Sequence, residues 1–181
     1  MTITKTSIEG LLILEPRVFH DDRGAFFESF NDQLFNEAVG EPIHFVQDNQ
    51  STSKKGVLRG LHFQVNPHAQ GKLVRVAKGR VIDVAVDIRR DSPSYGQHHA
   101  VELSAENNLQ FWIPEGFAHG FVALEEDTIF CYKCTDYYAP EREGSLFWND
   151  EDLKINWGIE DPLVSDKDKT AANFGNFITS F

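Results

Sequence analysis

Along most of the chain, short runs of aromatic and β-branched residues alternate with turn residues: LLILEPRVF, GAFFESF, IHFVQDN, VLRGLHFQ, KLVRVAKG, RVIDVAVDI, HHAVELS, LQFWIP, HGFVAL and TIFCYKCTDYY. Such residues fit a pleated, half-buried surface, and Gly, Pro, Asn and Asp at their borders mark turns. Many strands of this kind in succession predict an all-β sandwich or barrel. The clearest is Arg80 to Ile88, where Ile82, Val84, Val86 and Ile88 recur at period two and Asp83 and Asp87 fall together on the other face. Helical spacing is confined to NDQLFNEAV, residues 31–39, with Asn31 as its N-cap, and to a short stretch near DEDL. Helices are therefore accessory. Gly56, Gly60, Gly71, Gly79, Gly116 and Gly120 are read as strand ends and barrel corners. No repeat, low-complexity tract or linker divides the chain, so residues 1–181 are expected to form one domain.

Composition narrows the function classes. With 41% hydrophobic and 25% charged residues the chain can bury an ordinary core. The formal net charge of −11 disfavours nucleic acid and acidic membrane as partners, because both would have to approach against the overall field. An anionic small molecule would need a local cluster of Arg and Lys. The start, MTITKTSIEGLLILEP, holds an apolar run of only four residues and reads as neither signal peptide nor membrane span. Two cysteines, Cys131 and Cys134, are too few for a disulfide framework, and a cytoplasmic setting is expected.

The chemistry concentrates in two motifs, GVLRGLHFQ with His62 and WIPEGFAHGF with His119, whose spacing resembles the cupin signatures. A metal-binding cupin carries further His and Glu ligands there. Only two of the three or four ligands of a zinc or iron site are present, so no metal and no cofactor is expected. Cys131 and Cys134, three apart in a strand, point to opposite faces and do not form a metal site. His98 and His99 read as surface residues. What remains suits proton transfer. His62 is a general base, provided that a carboxylate, Asp168 or Asp83, fixes its tautomer. Lys72 can meet the charge that develops on a carbonyl oxygen. Reprotonation from the other face needs a second acid, for which Tyr132 is chosen. Asp83 is otherwise read as a salt-bridge partner.

FVQDNQS, GVLRGLHFQ, QGKLVRVAKGRVIDVAVDIR, SPSYG, WIPEGFAHGF, YKCTDYYAPERE and WND stand in an order and spacing that resemble the dTDP-4-dehydrorhamnose 3,5-epimerase family, over about residues 15–168. The resemblance implies a cupin or jelly-roll double-stranded β-helix barrel. It also implies cofactor-independent double epimerisation at C3 and C5 of dTDP-4-dehydro-6-deoxy-D-glucose, a step of dTDP-L-rhamnose and surface-carbohydrate biosynthesis. By motif, His62 is the base, Tyr132 the opposing acid, Lys72 the partner of the keto oxygen, and Asp168 orients His62. Implied substrate contacts are Arg23, Phe26, Glu28, Gln47, Asp48, Asn49, Arg59, His119, Glu143 and Lys167, with Tyr138 stacking on thymine. A homodimer is implied, its N-terminal strand crossing to the partner's sheet with Phe19, Phe26 and Phe27 as apolar contacts. The competing readings are a single-site epimerase or ketoisomerase on a related sugar, a metal-dependent cupin enzyme, and a non-catalytic sugar-nucleotide binding module.

Overall fold

The computed structural model describes residues 1–181. In chain order the elements are β1 (Thr2–Lys5), β2 (Leu12–Glu15), β3 (Phe19–Asp21), β4 (Gly24–Phe26), α1 (Asp32–Val39), β5 (Gln47–Ser53), β6 (Val57–Gln64), β7 (Lys72–Lys78) and β8 (Arg80–Asp87). There follow β9 (His98–Ser104), β10 (Gln110–Ile113), β11 (Phe117–Ala123), β12 (Thr128–Cys134), β13 (Glu143–Ser145), β14 (Leu163–Val164) and α2 (Asp166–Lys169). Two sheets carry the fold, one ordered β1-β2-β10-β7-β12-β5 and the other β13-β6-β11-β8-β9, with β14 added parallel to the start of β6. They face each other as a jelly roll of the cupin type, as the family resemblance implies; the strand pattern alone predicts a sandwich or barrel.

Three apolar clusters fix the layers. Val74, Phe111 and Phe130 of the first sheet meet Val81, Ala85 and Phe121 of the second and close one end of the sandwich. The outer face of the second sheet, with Leu58, Val84 and Val122, lies under Leu146, Leu153 and Trp157 of the C-terminal segment. The outer face of the first sheet packs Leu14, Leu73 and Trp112 against Phe35 of α1. Burying Phe35, 1% exposed, stabilises by about 2–3 kcal/mol. Asn31 caps α1 by accepting the Leu34 N–H, and Gly40 ends it in the left-handed conformation.

Some expectations change. The DEDL stretch is a turn, because the Asp150 carboxylate takes the N–H groups of Asp152 and Leu153. The polar face of β8 is not solvent-facing: Asp83 and Asp87 are both fully buried inside the sandwich. Asp87 there accepts from Arg89, Ser92 and Ser94 and ties down the SPSYG loop. His98 and His99 are half-buried. Gly60 and Gly120 are not strand ends but sit within β6 and β11, where the two backbones nearly touch. A Cβ on Gly60 would lie 2.5 Å from Gly120 Cα and 2.9 Å from the His119 carbonyl oxygen, and its φ is +135°. Both obstacles are backbone, and that φ is open essentially to glycine alone. Gly60→Ala is expected to lose about 3 kcal/mol or more of stability; a urea melt with an unchanged midpoint would contradict this packing.

Candidate active site

The open end of the sandwich is a cavity of 530 Å³ into which both sheets send polar side chains. Arg59, His62 and His119 come from the second sheet; Ser51, Lys72 and Tyr132 come from the first; Lys167 and Asp168 come from α2. A second hollow of 240 Å³ shares His62, Lys72 and Tyr132 and runs on to Gln47, Asn49, Tyr138 and Glu143. Strand alternation explains most of this. On β5, Gln47, Asn49 and Ser51 point inward and Asp48 and Gln50 outward; on β12, Phe130, Tyr132 and Cys134 form the inner row. Arg59 and His62, three apart on β6, nevertheless line one cavity. The β6–β11 register shifts between His119 and Phe121, beside the Gly60–Gly120 contact, and turns the strand between them.

His62 and His119 are direct cross-strand neighbours. Each has its own carboxylate. His62 Nε2 lies 2.6 Å from Asp168 Oδ1, with Asp168 buried and His62 31% exposed to the cavity. β14 returns the chain alongside Val57 and Leu58, and Ser165 caps α2 by accepting the Asp168 N–H, so the short helix delivers Asp168 behind His62. Burial would raise the Asp168 carboxyl, but the hydrogen bonds from His62, Ser165 and the Gly60 N–H outweigh it and hold it below the ordinary range. As a carboxylate it takes the Nε2–H, which leaves Nδ1 as the basic nitrogen. His119 Nε2 lies 3.0 and 2.9 Å from the two oxygens of Asp83, both residues buried. Asp83 thus serves the second histidine, not the first.

The opposite wall carries Tyr132 and Lys72. The Tyr132 hydroxyl has no hydrogen-bond partner in the chain, and burial, with Cys134 and Glu143, pushes it above the usual phenol value despite the opposing Arg59. It therefore keeps its proton at neutral pH. Burial pushes the Lys72 ammonium below the usual lysine value. An imidazole from one sheet and a phenol from the other therefore line the same cavity.

At the mouth, Glu143 takes a hydrogen bond from the Tyr138 hydroxyl at 3.0 Å and pairs with Lys167 at 2.6 Å. Tyr138 is 57% exposed, so one ring face is free for stacking. Its loop is pinned by Gln64, which bonds the His68 and Tyr137 carbonyls and the Ala139 N–H, and by Gln47, which accepts the Tyr138 N–H. Arg59 donates to Ser53 and keeps the rest of its guanidinium for an anion.

The sequence reading missed Ser51, Gln64 and the stacked Phe121–Phe130 pair, with centroids 4.1 Å apart, that floors the cavity. The Ser51 hydroxyl is buried without a partner. The inward row of β5 could have flagged Ser51; nothing in the sequence flags Gln64. Four expected residues lie outside the cavity of the single chain. Arg23, bridged to Asp21 at 2.5 Å, and Phe26, 68% exposed, belong to the projecting β3–β4 hairpin. Glu28 lines a separate hollow on the outer face of the first sheet, and Asp48 turns outward to Lys133 at 3.0 Å. No three His, Cys, Asp or Glu side chains converge as a metal-ligating group, and no helix is long and apolar enough to cross a membrane.

The dTDP-4-dehydrorhamnose 3,5-epimerase family model matches residues 5–176. The dTDP-4-dehydrorhamnose 3,5-epimerase of Salmonella typhimurium is 59% identical over 172 residues, 94% of each chain. The crystal structure of an epimerase from Legionella pneumophila in complex with dTDP-4-keto-L-rhamnose superposes with a TM-score of 0.94 at 49% identity, covering 98% of this chain and 94% of that one. A 3'-monoepimerase from Streptomyces bikiniensis in complex with dTDP-quinovose superposes with a TM-score of 0.89 at 35% identity, covering 94% and 86%.

Proposed function

The chain belongs to the dTDP-4-dehydrorhamnose 3,5-epimerase family, and from that premise we infer that its cavity inverts C3 and C5 of dTDP-4-dehydro-6-deoxy-D-glucose, giving dTDP-4-dehydro-L-rhamnose. The observation that carries the reading is the placement of His62 and Tyr132 on opposing walls of one cavity, with Lys72 beside them. His62 Nδ1 removes the proton from a carbon next to the C4 ketone. The electron pair moves onto the C4 oxygen, where the Lys72 ammonium meets the enolate charge. Tyr132 delivers its proton to the same carbon from the other face, and the configuration inverts. One proton leaves to the imidazole and one arrives from the phenol, so proton exchange with water must restore both groups before the second carbon reacts. The raised Tyr132 hydroxyl gives up its proton only to a strong base, which an enolate carbon is.

Arg59 and Lys167 provide the local positive charge for the diphosphate in a chain of net charge −11. Tyr138, held by Glu143, offers its face to the thymine. The assembly belongs to the same proposal. β1 pairs with β2 of its own chain, so the N-terminal segment free to cross to a second copy is the β3–β4 hairpin. A homodimer in which that hairpin reaches the partner's cavity puts Arg23, Phe26 and Glu28 to use and covers Phe19, half exposed in one chain. No cofactor takes part in this scheme, and a cytoplasmic site of action goes with a nucleotide-sugar substrate.

The test is an incubation with dTDP-4-dehydro-6-deoxy-D-glucose in deuterated buffer, followed by NMR. Deuterium at both C3 and C5 is expected. Label at one carbon only would instead identify a single-site epimerase, a chemistry named for the Streptomyces bikiniensis relative, and migration of the carbonyl would identify a ketoisomerase.

A further inference from the structure

Almost nothing apolar holds the loop that presents Tyr138: Tyr137 is 63% and Tyr138 57% exposed, and of residues 137–139 only Ala139 is buried. A loop this exposed moves on its own unless its backbone is bonded to something rigid. One buried side chain supplies most of that. Gln64, the last residue of β6 and 4% exposed, sends its amide into the loop. Its Nε2 donates to the Tyr137 carbonyl at 3.1 Å and to the His68 carbonyl at 2.7 Å, and its Oε1 accepts the Ala139 N–H at 2.8 Å.

The Tyr137 carbonyl and the Ala139 N–H belong to the two peptide groups that flank the Tyr138 Cα. Each peptide group is planar, so holding both fixes φ and ψ of Tyr138, and with them the direction of its side chain. Gln47, from the facing sheet, accepts the Tyr138 N–H at 3.0 Å and holds the first plane by its other edge. Glu143, the cross-strand neighbour of Gln64, takes the Tyr138 hydroxyl. The exposed ring is thus set at its backbone by Gln64 and at its tip by Glu143. Both amide hydrogens of Gln64 go to backbone carbonyls, which leaves it no donor for a ligand. His62 stands two residues earlier on the same strand and lines the same 240 Å³ hollow.

We propose that Gln64 is a positioning residue for the nucleobase, holding the Tyr138 ring in place before the nucleotide arrives and at a fixed reach from His62. The proposal rests on the thymine-stacking part of the reading above and deepens it, since Gln64 acts only through Tyr138. The loop keeps other ties without Gln64: Gln70 donates to the Asp136 carbonyl at 2.7 Å, and the Asp136 carboxylate accepts the Tyr137 N–H at 2.7 Å and meets His68 Nδ1 at 3.0 Å. Loss of the Gln64 amide is therefore expected to release Tyr138 without detaching the loop.

The test is calorimetric binding of dTDP to the full chain, its Gln64→Met and Tyr138→Ala variants and the double variant. Methionine keeps the unbranched length and makes none of the three bonds. Tyr138→Ala is expected to weaken dTDP about tenfold or more, the loss of one base–aromatic stack, and Gln64→Met about tenfold. The double variant is expected within about threefold of Tyr138→Ala, because a side chain that acts through the ring has little left to lose once the ring is gone. Inorganic pyrophosphate, which meets Arg59 and Lys167 but not the platform, is expected to bind Gln64→Met within about threefold of the parent. With the dTDP sugar as substrate, KM rises about tenfold and kcat falls less than about threefold, as when binding common to ground and transition states is removed. Parent-like dTDP affinity in Gln64→Met, losses that multiply in the double variant, or an equal loss of pyrophosphate affinity each overturns the proposal. Should Gln64→Met not fold, hydrogen exchange in the parent chain without nucleotide still decides: slow exchange of the Ala139 N–H is expected, and exchange at the rate of an open loop contradicts a platform set in advance. Parent-like dTDP binding by Tyr138→Ala would sink the stacking reading and this proposal together, whereas a loss there with none in Gln64→Met sinks this proposal alone. The binding and exchange readouts need no turnover, so a chain that fails to epimerise the dTDP sugar leaves them intact.

Discussion

His62→Ala is expected to lower turnover of dTDP-4-dehydro-6-deoxy-D-glucose by ~10³-fold or more while leaving the affinity for dTDP nearly unchanged. A positioned general base contributes ~10²–10⁴-fold by itself, and groups that act as a unit lose more than one part's share when one is removed. The nucleotide contacts proposed here, Tyr138, Arg59 and Lys167, are held by Glu143, Gln47, Gln64 and Ser53, none of which bonds to His62. The substitution also has a stability signature. In the parent chain the folded Asp168 carboxyl lies below its unfolded value. The pair's stabilisation is therefore complete above the ordinary carboxylate range and is lost as pH falls through the folded value. Without His62, burial of Asp168 is opposed only by Ser165 and Gly60, so the variant is destabilised most at neutral pH and approaches the parent in acid. Calorimetry across pH separates that loss from the loss of chemistry. Parent-like turnover by a folded His62→Ala protein would remove His62 from the mechanism.

Much of the fold was legible because its strands bury apolar side chains at a fixed period. The runs from Val57 to Gln64, Lys72 to Lys78 and Thr128 to Cys134 are strands where the sequence pattern put them. Elements held by few apolar contacts were not legible. β14 has two residues and α2 four, too few for any period to emerge. Those two elements nonetheless deliver the carboxylate behind His62. SDKD offers both Asp166 and Asp168; the choice falls on Asp168 because Ser165 caps its N–H and turns it inward, while Asp166 is fully exposed and bonds Lys169. DEDL, read as a short helical stretch, is a turn that the Asp150 carboxylate closes on itself.

Asp83 shows the same limit on the site side. Period two put it on a polar face, but only the sheet order, with β11 beside β8, could reveal that this face is turned into the sandwich and that its partner is His119. Arg23 and Phe26 show the opposite limit. They are exposed on a hairpin of the single chain, and the use proposed for them needs a second copy, which no pattern within one chain can display.

Tyr132→Phe tests the central claim, that base and acid work from opposite walls of one cavity. The substitution removes one oxygen, which has no partner within the chain, and leaves His62, Asp168 and Lys72 in place. Inversion is expected to fall by ~10²-fold or more, while His62 still removes protons and returns them, or deuterons from solvent, to the face they left. The deciding measurement is NMR of the sugar after incubation of Tyr132→Phe in deuterated buffer. The account predicts deuterium entering C3 or C5 with retained configuration, faster than any inverted product appears; inverted, deuterated product formed at the parent rate would contradict it.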